Sequence, residues 1–148
     1  MTDTFIGLQL PQLHPDDVKL HVTLTFIEGA SEMQREEAWQ VYTKLLAHQL
    51  PLMLQLGEQI KVGRDKDLLA RRVIVNSPLR AQLEAAYEKT SVRANDEFPT
   101  LLLHVTINSE EKQKTLERAG ENTMANKLYM ATTGDDKRVL RTLTGSVE

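Results

Sequence analysis

The 148-residue chain contains no cysteine, which excludes a disulfide framework, a thiolate zinc centre, an iron–sulfur cluster and a cysteine nucleophile. That fits a reducing compartment and predicts a cytoplasmic protein. Aromatic residues make up only 5%, with a single Trp, and the 7 Gly and 5 Pro are too few for a collagen-like or low-complexity scaffold. No apolar run approaches the roughly 20 residues that span a bilayer, and Met1-Thr2-Asp3-Thr4 lacks the basic start of a signal peptide. The sequence therefore predicts a soluble, unprocessed chain with no membrane partner. Neither sign of charge dominates. The 21 acids and 18 bases leave −3, which argues against coating long duplex nucleic acid by phosphate neutralisation and leaves a small anionic ligand open.

What is present is enough for a packed core: 41% hydrophobic and 26% charged residues, at a length that predicts one domain over residues 1–148 with no dividing linker. Charge is uneven. Residues 1–60 hold 3 bases and 8 acids (−5), and residues 61–148 hold 15 and 13 (+2). The stretch 61–80 carries Lys61, Arg64, Lys66, Arg71, Arg72 and Arg80 against Asp65 and Asp67, and is either a solvated loop between strands or a flank that attracts phosphate.

Hydrophobic period sets the elements. Thr4 to Leu10 alternates as a half-buried strand, and Leu20 to Ile27 reads as a second, ending at Glu28-Gly29. Ser31 and Gln34 stand in capping-box spacing before a helix on Ala38, Val41, Tyr42, Leu45 and Leu46, stopped by Pro51. Leu52, Leu54, Leu56, Ile60 and Val62 then predict one face of a long strand, with Met53, Gln55, Gln59 and Lys61 on the other. Arg71 to Asn76 follows as a strand, with Ser77 predicted to cap a helix on Leu79, Leu83, Ala86 and Tyr87. Leu101 to Asn108 reads as a strand, Ser109 caps a short helix closed by Gly120, and Lys127 to Thr132 and Lys137 to Leu143 form a hairpin through Thr133 to Asp136. The order β-β-α-β-β-α-β-α-β-β has no repeated long crossover, so the expected class is α+β with mainly antiparallel sheet.

Two of the four histidines lie in nearly the same local sequence, Leu20-His21-Val22-Thr23-Leu24 and Leu103-His104-Val105-Thr106-Ile107, 83 residues apart. For this composition, two His-Val-Thr triplets arise by chance with a probability of roughly a few in ten thousand. In a strand, residues two apart share a face, so His21, Thr23 and Thr25 form one polar row and His104, Thr106 and Asn108 another, each opposite apolar residues. Polar rows of this kind line a solvent-filled concavity or carry satisfied hydrogen bonds. Histidine titrates near neutrality and serves as general acid or base, so two of them across one phosphorus suit in-line displacement at a phosphodiester. Threonine hydroxyls two residues away are placed to bind the non-bridging oxygens. The scheme requires no metal. A zinc site from His21, His104 and His14 is disfavoured, because threonine is a poor zinc ligand and no His-x-x-x-His pair is present.

The paired His-x-Thr strands, the duplicated strand-and-helix order and the length together resemble the 2H phosphoesterase superfamily. That superfamily includes RNA-ligase-like cyclic phosphodiesterases and phage enzymes that destroy cyclic nucleotide immune signals. The resemblance runs from Phe5 to about Leu143. It implies a two-lobed, pseudo-symmetric α+β fold of duplicated antiparallel sheets, with outer helices and a central cleft. It further implies His21 and His104 as acid and base, Thr23 and Thr106 as phosphate ligands, no cofactor and no metal. The implied substrate is a small cyclic nucleotide, a cyclic oligonucleotide or an RNA terminus, in the host cytoplasm if the chain is phage-encoded. The alternative is a module that binds such an end without cleaving it.

Beyond the pairs, Phe5 and Tyr129 lie on strands that border such a cleft and are candidates for stacking on a base, or else are core. Arg71, Arg72, Lys127 and Arg141 are candidates for further phosphate contacts. His14 in His14-Pro15-Asp16-Asp17 reads as part of a turn, His48 as a helix C-terminal or exposed residue, and Trp39 as packing or surface.

Overall fold

The computed structural model describes residues 2–10, 20–62, 68–92, 101–119, 121–133 and 138–145. Among these, the elements are β1 (Thr2–Gln9), β2 (His21–Ala30), α1 (Glu32–Leu46), β3 (Leu52–Val62), β4 (Leu68–Ile74), α2 (Ser77–Thr90), β5 (His104–Thr106), α3 (Glu110–Ala119), β6 (Asn122–Ala125), β7 (Lys127–Thr132) and β8 (Val139–Thr144). The strands form two four-stranded antiparallel sheets, in the orders β2-β1-β7-β8 and β5-β4-β3-β6. The class is α+β, as the sequence pattern predicts. One strand was not expected: β6, in which only Thr123 and Ala125 turn inward, is too short and polar to announce itself. The strand expected over Leu101–Asn108 is trimmed to its centre, although ladder hydrogen bonds from Val73 N to Leu103 O and from Ile107 N to Leu69 O continue on both sides. Gly120 and the turn at 134–137 lie outside the described residues.

Local chemistry explains the helix starts. Ser31 Oγ accepts from Gln34 N at 3.1 Å while Gln34 Oε1 accepts from Ser31 N at 2.8 Å, so two orphan donors of α1 are satisfied reciprocally. At α2 the cap is one residue earlier than the expected Ser77: Asn76 Oδ1 accepts from Leu79 N at 2.9 Å, leaving Ser77 and Pro78 inside the first turn. Lys112 N donates to Ser109 Oγ at 3.2 Å at the start of α3. Tyr42 and Leu46 of α1 and Leu79 and Leu83 of α2 are buried with the inner faces of both sheets, including Leu24, Leu54, Val73 and Val105, in one continuous core.

Two irregularities redirect side chains. In the β1–β2 pair, the single step from Ile6 to Gly7 faces the two steps from Thr25 to Thr23, so β2 carries an extra residue there. Leu24 and Thr25 consequently both turn inward, and Phe26 takes the outer face that strict alternation assigns to Thr25. The bulge is held from the helices. Tyr42 OH donates to Leu24 O at 3.2 Å, and Thr90 Oγ1 donates to Ala86 O at 2.8 Å, which leaves it to accept from Thr25 Oγ1 at 2.9 Å. A second shift lies between Thr2 and Thr4, where Gly29 adopts φ 55° and its N–H reaches Asp3 Oδ1 at 2.8 Å. In the β3–β4 pair, three steps from Leu56 to Gln59 face two from Val73 to Arg71. This corrects the expected single face of β3: Ile60 pairs with Ala70 on the side opposite Leu56, and Gln59 crosses to the side of Leu56.

Two expectations follow from these contacts. Burial pushes the hydroxyls of Tyr42 and Tyr129 up from 10.0 to about 12. Between those values the unfolded chain has released protons that the native state retains, so stability is intact below pH 10, falls as pH rises to 12 and levels off above. Each tyrosine contributes a loss on the order of 2–3 kcal/mol. Urea denaturation at pH 9 and pH 12 should show this drop, and Tyr42→Phe should reduce it while costing about 0.5–1.5 kcal/mol at neutral pH for the lost hydrogen bond. Separately, a Cβ on Gly7 would stand 2.9 Å from Val22 O, inside any tolerated contact. Gly7→Ala must therefore spread β1 from β2, and thermal melting should show a loss of about 1–3 kcal/mol.

Candidate active site

The two His-Val-Thr runs occupy β2 and β5, each the terminal strand in the order of its own sheet. These two strands approach within 8 Å between Cα atoms, so strands far apart in sequence pack together where the sheets adjoin. Val22 and Val105 point into the core, while His21, Thr23, His104 and Thr106 are half-buried on the opposite faces. All four residues singled out from the sequence thus lie on the two strands that pack together, on the faces turned away from the core. Thr25 leaves the row for the reason given above, and Asn108 is exposed beyond the end of β5.

His104 Nδ1 lies 2.9 Å from Leu102 O. A carbonyl oxygen only accepts, so Nδ1 carries the proton and Nε2 is the nitrogen that gains or loses one. His21 is placed differently, by rings. Its centroid is 5.1 Å from Phe5 at 31° and 6.3 Å from Tyr129 at 84°, and Phe5 and Tyr129 meet edge to face at 5.5 Å. The register explains the gathering: Gly7, without a side chain, lies opposite both Thr23 and Tyr129, with Phe5 two residues along β1. Phe5 and Tyr129 are only 5% and 7% exposed, so their rings pack against the imidazole and each other and leave little area for stacking on a base. Desolvation keeps the Tyr129 hydroxyl protonated, with its pKa pushed up to about 12.

The four candidate cations separate by face, which periodicity alone did not resolve. Arg71 Nε donates to Gly57 O at 2.7 Å, and the side chain lines a cavity of about 300 Å³ with Leu56, Ile107 and Leu116, away from the histidines. Arg141 pairs with Glu36 of α1, and this hydrogen bond, with a second from Gln40, holds the Glu36 carboxyl below the usual carboxylate range. Arg72 lies directly opposite His104 in the β4–β5 pair, and Lys127 falls in the cross-strand row of Gln9 and His21. Those two alone of the four share the histidine faces. His48 is exposed after α1, Trp39 packs in the core at 9% exposure, and His14 lies outside the described residues. Among the described residues, no cluster of three or more His, Cys, Asp or Glu is arranged to hold a metal ion.

No protein-family model and no curated protein sequence matches the chain. Solved structures do. A phosphoesterase superposes with a TM-score of 0.60 at 12% identity, covering 99% of this chain and 100% of that one. LigT of E. coli, solved with 3'-AMP, gives 0.59 at 10% identity over 99% of both chains. Usb1 of Kluyveromyces marxianus, solved with uridine monophosphate, gives 0.56 at 15% identity over 94% of this chain and 98% of its own. At such identities the likeness is one of fold, and it spans nearly the whole of each chain. The chain therefore has the fold of the 2H phosphoesterases, the architecture that its duplicated His-Val-Thr strands imply.

Proposed function

We propose that this protein is a phosphodiesterase that cleaves a small nucleotide phosphodiester between His21 and His104. The observation that supports the reading is the packing of β2 against β5, two strands from different sheets that each carry a His-Val-Thr run with His and Thr turned away from the core. One histidine takes the proton from the attacking water as its oxygen bonds to phosphorus. The other protonates the departing ester oxygen as the P–O bond breaks. Thr23 and Thr106 donate to the non-bridging oxygens, where charge builds in the transition state. The hydrogen bond from His104 Nδ1 to Leu102 O directs Nε2 at the reacting atoms, and the packing of Phe5 and Tyr129 restrains the His21 ring. The similar structures with 3'-AMP and uridine monophosphate support a ligand of nucleotide size. The substrate is a cyclic nucleotide, a cyclic oligonucleotide or the cyclic phosphate of an RNA end.

The test is incubation of EDTA-treated protein with cyclic dinucleotides, cyclic trinucleotides and 2',3'-cyclic mononucleotides, read by chromatography and mass. Preference for the first two assigns degradation of cyclic nucleotide signals, including a phage counter-defence role; preference for the third assigns RNA-end processing. His21→Ala and His104→Ala should each lower kcat by roughly 10²–10⁴-fold while binding persists. Thr23→Val and Thr106→Val should each cost about 2.7–4 kcal/mol of transition-state stabilisation. With one histidine neutral and one protonated, kcat/KM should be bell-shaped around neutral pH, both limbs belonging to the pair. Bound ligand recovered uncleaved from the wild type would replace the enzyme with a binding module, and a flat profile from pH 5 to 9 would remove the histidine pair from the chemistry.

A further inference from the structure

The face of the second sheet that carries His104 holds one large cation among the described residues, and its surroundings are unusual. Arg72 stands directly across from His104 in the β4–β5 register, and residues so opposed in an antiparallel pair put their Cβ atoms on the same face about 4.5–5.5 Å apart. The residue opposite Thr106 is Ala70, so nothing large from β4 intervenes at the other half of the motif. The Arg72 side chain is 42% exposed, yet its Nε is buried without a hydrogen-bond partner. Glu58 Oε1 lies 3.0 Å from that nitrogen, as an ion pair lacking hydrogen-bond alignment. Glu58 sits at the β3 irregularity, on the strand beyond β4 from His104, with its side chain 70% exposed. It therefore draws the guanidinium away from the motif. Gly57 beside it leaves the arginine stem room, since a Cβ there would stand 3.2 Å from Arg72 Cβ.

We infer that Arg72 binds the substrate's phosphate beside His104, and that Glu58 is the competing partner the phosphate must displace. The inference rests on the phosphodiesterase reading above. Its chemical basis is the match between the planar guanidinium fork and two phosphate oxygens, which a lysine cannot reproduce. An exposed carboxylate holds such a fork by about fivefold or less, so a phosphate already anchored by Thr106 is placed to win the exchange. The geometry also accounts for the unsatisfied Nε, a donor held near an anion without being used by it.

The experiment is calorimetric titration with 3'-AMP and inorganic phosphate, together with kcat/KM on whichever cyclic nucleotide the wild type cleaves. The variants are Arg72→Gln, Arg72→Lys, Glu58→Gln and the double variant. Arg72→Gln should weaken 3'-AMP binding and kcat/KM by roughly 10–100-fold, with Arg72→Lys intermediate. Glu58→Gln should strengthen binding by up to about fivefold, and this gain should vanish in the Arg72→Gln background. A structural role for the ion pair moves both single variants in the same direction, and that result overturns the inference. So does unchanged binding and turnover in a folded Arg72→Lys and Arg72→Gln pair while the wild type cleaves. A wild type that neither binds nor cleaves any of these ligands overturns the phosphodiesterase reading, and this inference with it.

Discussion

The extra residue in β2 is the constraint on which the rest of the site depends. A strand of strict alternation would put Thr25 beside Thr23 on the outer face and Phe26 in the core. The bulge reverses both. Leu24 and Thr25 enter the core together, where Tyr42 of α1 and Thr90 of α2 hold them by hydrogen bonds, and Phe26 joins Phe5 and Tyr129 on the histidine face. The two helices thereby fix the strand that carries His21. Gly7 completes the arrangement from β1, since its Cβ position is already filled by the carbonyl of Val22. The burial of Thr25 and the placement of Phe26 beside Phe5 and Tyr129 are both downstream of that one register shift.

The two halves repeat a motif without repeating its support. In the sheet of β2, the histidine is braced by aromatic rings in a small cluster separate from the main core. In the sheet of β5, the histidine is oriented by a backbone carbonyl and faces an arginine. The same residue types on the two strands therefore stand in different surroundings.

Much of the fold was legible in the sequence, because amphipathic period and capping residues are local signals. The helices on Tyr42 and Leu83, the capping box at Ser31 and Gln34, and the strands around Ile6, Val22, Leu54 and Val73 all follow from spacing of one to four residues. The misses have a common physical origin. β6 pairs with β3 over only four residues, with two inward side chains, so tertiary pairing stabilises what its composition does not. The faces of Thr25, Gln59 and Ile60 depend on bulges, and a bulge is decided by the partner strand. Among the cations, Arg71 and Arg72 are adjacent in sequence and opposite in space, and only the register with β5 says which one faces the histidine.

The sequence by itself determined the chemical inventory. A duplicated His-Val-Thr run in two strands, in a chain with no cysteine and few aromatics, singles out four candidate residues, His21, Thr23, His104 and Thr106. Tertiary structure decided that β2 and β5 end their respective sheets and come together, that Phe5 and Tyr129 enclose His21, and that Arg72 stands across from His104 while Arg71 and Arg141 turn elsewhere. The reason is the range of the forces involved. Alternation and capping act between residues a few positions apart and leave a trace in the sequence, whereas register and the meeting of two sheet edges come from burial of a core shared by both sheets.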